Sequence, residues 1–153
     1  MTIRSTATLT GAVLATALLA FSAFAREHTA LNGTWTLVPS KSDFAGQPVL
    51  QAATVTIDER QGNITVSRGF VYEGAGGETV FYRDMTDGQN YATFHDGKDV
   101  KSKTRWEHDV LKVTTTQSGA VTAESYTLAA DGTMIVSVVR PEHAPITLVF
   151  ERK

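Results

Sequence analysis

Apolar residues in this chain recur at every second position. In "TVTID", Val55 and Ile57 fall on one side of an extended backbone, and Thr54, Thr56 and Asp58 fall on the other. "NITVSRGFVY" groups Ile64, Val66, Phe70 and Tyr72; "LKVTTT" pairs Leu111 with Val113; "ITLVFER" groups Ile146, Leu148 and Phe150. Two residues is the repeat of a strand, whose successive side chains point to opposite faces. Val, Thr, Ile, Tyr and Phe dominate these runs, and their branched or aromatic side chains suit a pleated surface. Beyond residue 25, no segment of useful length carries the 3.6-residue period of a helix.

The breaks between runs are short and built for reversal. Gly62-Asn63, Asp87-Gly88, Asp96-Gly97, Ser118-Gly119 and Asp131-Gly132 all tolerate positive φ, and Gly74 to Gly77, His108-Asp109 and Pro141 to Pro145 mark further turns. This spacing predicts strands over 33–38, 51–58, 63–73, 78–85, 90–95, 99–107, 110–117, 121–129, 133–140 and 146–152. Consecutive strands joined by tight turns form an antiparallel meander. A meander this long must split into two sheets or curl on itself, and closure removes the exposed edges. The expected fold class is therefore all-β: an antiparallel up-and-down barrel of about 8–10 strands.

The first 25 residues stand apart. Arg4 precedes an apolar run from Ala12 to Phe21, and Ala23-Phe24-Ala25 forms an A-x-A cleavage signature. The run is shorter than the roughly 20 apolar residues that span a bilayer. These features predict a signal-peptide helix over 1–25 and a barrel domain over 26–153, exported to the periplasm or the exterior with no stable membrane anchor after cleavage. There is no cysteine, so packing and not disulfides must hold the fold. The net charge of −2 offers no basic surplus for nucleic acid.

"GTWTLVPSKSDF", Gly33 to Phe44, carries the G-x-W that opens lipocalin and fatty-acid-binding-protein barrels. It resembles the start of exported bacterial lipocalin-like (calycin) proteins of undefined role. "RWEHDVLKV", "YTLAADGTMIVSV" and the closing "ITLVFERK" are similar to the second half of a fatty-acid-binding-protein barrel. The resemblance implies that Gly33 lets another backbone approach, that Trp35 plugs one end, and that Arg152 lies on the tryptophan. It also implies a small hydrophobic or amphipathic ligand in the interior. Departures from these patterns matter too. Leu148 and Phe150 stand where fatty-acid-binding proteins carry the Arg-x-Tyr pair that grips a carboxylate, and Ser40 to Pro48 is too short for their two-helix lid, so it reads as a polar loop at the rim. Val38 also replaces the Asn usual in the bacterial opening.

Several residues are candidates for contact with a ligand. Alternation puts Arg68 on the face of Ile64, Val66, Phe70 and Tyr72. If that face is internal, Arg68 needs an anion: a ligand carboxylate or phosphate, or an inner Asp or Glu. A bulge at Gly69 would instead turn it outward. Tyr72, Tyr82, Tyr91, Phe94 and Tyr126, with Phe70, Leu148 and Phe150, would line a cavity or fill a core. Lys101, Lys103 and Arg105 form a basic stripe opposite Val100, Ser102, Thr104 and Trp106; it faces solvent unless the strand is inverted, which would make the lumen cationic. His95 and His108 lie in turns without zinc spacing. His143 sits where nitrobindin-like barrels place a haem ligand, but Leu37 interrupts their glycine-rich opening. Asp84 and Asp87 read as caps near turns, and no nucleophile–base constellation emerges. The expectation is a binding barrel without catalytic residues, metal or cofactor. A structural barrel with a filled core is the alternative, and a haem-binding enzyme is a more distant one.

Overall fold

The computed structural model describes residues 28–72, 77–95 and 98–153; the side chains of 72, 78–84 and 93–95 are outside that description. The signal segment over 1–25 lies outside the described residues, as does the turn at Gly74 to Gly76. Ten strands follow in chain order: β1 (Gly33–Leu37), β2 (Leu50–Arg60), β3 (Asn63–Tyr72), β4 (Gly77–Met85), β5 (Asp87–His95), β6 (Lys98–Glu107), β7 (Val110–Gln117), β8 (Ala120–Leu128), β9 (Met134–Val139) and β10 (Ile146–Arg152). Among the described residues the one helical element is a single 3₁₀ turn at Pro39–Lys41.

All described pairings are antiparallel, in the order β4-β3-β2-β1-β10-β9-β8-β7-β6-β5. Every neighbour is consecutive in sequence except one. The first and last strands pair, with Trp35 opposite Arg152 and Leu37 opposite Phe150. Contacts across the interior establish that the sheet curls. Arg68 on β3 hydrogen-bonds Glu124 on β8, and Trp106 on β6 donates to Glu59 on β2. At about 4.8 Å per strand, a flat sheet would hold strands five places apart roughly 24 Å from one another. Among the described pairings none joins β4 to β5, which are the two ends of the sheet order and follow each other through Thr86.

Period two carries through to burial. On β2, Ala53, Val55, Ile57 and Glu59 are buried, while the residues between them are exposed. On β6, Val100, Ser102 and Thr104 are buried, which sends Lys101 and Arg105 outward and leaves Lys103 half-exposed. The basic stripe is thus external, and the inverted strand is excluded. The β2–β3 register is continuous across Gly69, with Val55 opposite Arg68. The irregularity lies instead between Leu50 and Ala52. Arg68 therefore points inward.

Some boundaries differ from the sequence reading. β1 stops at Leu37, and β2 runs two residues past Asp58, which places Glu59 inside the barrel wall. Asp87 and Gly88, expected to turn, open β5; the reversal is at Thr86, whose N–H donates to the Gly62 carbonyl at 2.8 Å. Gly88 has φ +74 and falls where the β5–β6 register shifts, so its freedom serves a bulge. The Ser40–Pro48 loop is not wholly polar. Phe44 packs against the core, and Asp43 bridges to Thr147 on β10.

Candidate functional site

One end of the barrel opens onto a cavity of about 320 Å³. Its walls are apolar: Leu50 and Val55 from β2, Phe70 from β3, Val136 and Val138 from β9, and Ile146, Leu148 and Phe150 from β10. The β1–β2 loop supplies Phe44, Gln47 and Pro48 at the mouth. That loop is tied down. Asp43 and Thr147 exchange backbone hydrogen bonds of 2.7 and 2.8 Å, and Gln47 Nε2 donates to the Ala144 carbonyl at 2.7 Å. Arg140 also lines the mouth and donates to Gln47 Oε1. The volume is at the small end of ligand pockets, which span roughly 300–1,000 Å³.

A polar cluster is set into one wall. Arg68 Nη1 donates to Glu124 Oε1 at 2.5 Å, and both side chains are 8% exposed. Tyr126 Oη donates to Glu124 Oε2 at 2.7 Å, so one carboxylate receives both neighbours. The Arg68 guanidinium lies over the Tyr126 ring, 5.8 Å from its centroid. Glu124 and Tyr126 are two residues apart on β8 and so share its inner face. Burial strips water from both charges. The attraction that offsets this is about 4 kcal/mol at 4 Å and an effective dielectric near 20. Such a pair contributes little net stability, but removing one partner is strongly destabilising.

The opposite end is closed. Trp35 is fully buried, and its Nε1 donates to the Leu31 carbonyl at 2.8 Å. Arg152 lies 4.2 Å over the indole, donates through Nη2 to the Ala30 carbonyl at 2.8 Å, and donates through Nη1 to the Asn32 carbonyl. Gly33 has φ +129, and a Cβ there would meet Arg152 Nη1 at 2.7 Å. The group that approaches Gly33 is therefore the arginine side chain and not a second backbone. Nearby, Trp106 stacks on His28 and donates to the buried Glu59 at 2.9 Å.

Of the residues singled out in the sequence, Arg68, Phe70, Tyr126, Leu148 and Phe150 come together around the cavity. Tyr91 does not line it; its hydroxyl donates to Asp87 at 2.6 Å and holds that carboxyl below its usual range. The side chains of Tyr72, Tyr82, Asp84, Phe94 and His95 lie outside the described residues. His143 is exposed between β9 and β10, with Nδ1 2.7 Å from the Pro141 carbonyl. Among the described residues no group of three or more His, Asp or Glu is placed to hold a metal. Glu124, Val136 and Phe44 were missed. Glu124 had a signal, since period two puts it on the same face as Tyr126.

No protein-family model matches the sequence, and neither does any curated protein sequence. Solved structures do match. A Schistosoma mansoni fatty acid binding protein in complex with arachidonic acid is similar with a TM-score of 0.63 at 15% identity, over 83% of this chain and 98% of that one. Secretory abundant heat soluble protein 4 from Ramazzottius varieornatus matches with a TM-score of 0.60 at 13% identity, over 82% and 96%. The wild-type fluorescent protein UnaG matches with a TM-score of 0.61 at 16% identity, over 80% and 96%. The fold is that of the fatty-acid-binding-protein-like, calycin-type barrel. At these identities the likeness is one of architecture, and function must be argued from the site.

Proposed function

We propose that this chain is an exported binding protein that holds a small hydrophobic or amphipathic molecule inside its barrel, as a carrier or sensor. The observation that carries this reading is the 320 Å³ cavity, walled by Val55, Val136, Leu148 and Phe150 and reached past Gln47 and Arg140. A core whose only task is stability packs without such a space. That the similar Schistosoma mansoni fatty acid binding protein forms a complex with arachidonic acid supports a hydrophobic or amphipathic ligand. Arg4, the apolar run after it and Ala23-Phe24-Ala25 support export.

Native mass spectrometry tests both halves on full-length chain expressed in a host with an export pathway. The expected spectrum shows a product beginning at Arg26 with a small molecule retained. Leu148→Trp should fill the cavity and remove the adduct while the fold persists by circular dichroism. An adduct-free spectrum, with no displacement of an environment-sensitive dye by any apolar ligand, would favour a structural barrel instead. An unprocessed N-terminus would refute export.

A further inference from the structure

The cavity's chemistry narrows the ligand class. We infer that the pocket selects a neutral amphipathic molecule whose head donates a hydrogen bond, such as an alcohol or amide, and rejects a free carboxylate, with Glu124 as the selecting residue. This rests on the reading of the cavity as a ligand site. Two arginines are described along it. Arg140 is at the exposed mouth, and Arg68 is within, held by Glu124 at 2.5 Å. The interior pair is neutral as a unit.

A ligand carboxylate that sought Arg68 would have to displace Glu124. That carboxylate is on a mid-sheet strand, and Tyr126 Oη fixes its other oxygen at 2.7 Å. Displacement would leave a buried anion beside a second anion, the arrangement that most disfavours charge in a dry site. The last strand offers no substitute, because its inward positions are Ile146, Leu148 and Phe150.

A neutral donor meets a different surface. A carboxylate has about four lone-pair positions, and Arg68 and Tyr126 take one each. A hydroxyl or amide N–H can donate to Glu124 without disturbing either neighbour. Its hydrocarbon chain then lies against Val136, Leu148 and Phe150.

The test compares dodecanol with dodecanoate, equal in chain length, for displacement of an apolar dye from delipidated protein at mildly alkaline pH. Dodecanol should bind at least about tenfold tighter, a difference of about 1.4 kcal/mol. Glu124→Gln removes the negative charge that a ligand carboxylate would meet beside Arg68, so dodecanoate should gain and the preference should shrink or invert. Equal or tighter binding of dodecanoate by the unmodified protein overturns the inference and leaves the cavity reading intact. That comparison needs no variant to fold. An unchanged preference in a folded Glu124→Gln protein removes Glu124 from the role. If neither compound displaces the dye, the cavity reading fails and this inference falls with it.

Discussion

The closed end of the barrel and its cavity each set an arginine against an aromatic ring, but the two arginines find opposite solutions. At the closed end Arg152 covers Trp35 and donates to the carbonyls of Ala30 and Asn32. Inside the cavity Arg68 faces Tyr126 and donates to a carboxylate. The difference lies in the backbone. Where the ladder stops, loop carbonyls are available to accept. Within the wall, carbonyls are committed to strand pairing, so an inward cation must find a side chain. The closed end therefore needs no second charge, whereas the cavity acquires a fixed acid.

Three measurements would break or sharpen this contrast. The largest effect is expected from Trp35→Ala. Removing a fully buried indole should lower unfolding free energy by about 3–5 kcal/mol, read by denaturant melts. A loss below about 1 kcal/mol would mean Trp35 does not hold the end together. Next comes the interior pair. Arg68→Met alone should cost about 3 kcal/mol by stranding Glu124, while Arg68→Met with Glu124→Leu should recover most of it. A double variant as unstable as the single would show that the pair itself stabilises the barrel. Arg152→Met should be mildest, about 1–2 kcal/mol, from a lost cation–π contact and two hydrogen bonds at an exposed residue. A larger loss there than at Arg68 would reverse the comparison.

Much of the wall was legible locally. Ile64, Val66 and Arg68 share a face because strand geometry repeats every two residues, and turn residues fix where the meander reverses. The errors fell where tertiary pairing overrode local chemistry. Asp87-Gly88 has turn composition, yet pairing with β6 draws it into a strand with a bulge. Phe44 lies in a polar stretch, and its half-buried state follows from its packing against the core at the cavity mouth.

Composition, period and turn spacing were sufficient for the all-β architecture, because each is set by neighbours a few residues away. The partner of Arg68 was not determined that way. Glu124 is 56 residues distant in sequence, and the two meet only because a ten-stranded sheet curls until β3 faces β8. That curl depends on the twist and register of the whole sheet. The sequence thus determined that an arginine shares a face with Ile64, Val66 and Phe70, and the tertiary structure decided that this face is internal and what neutralises the charge.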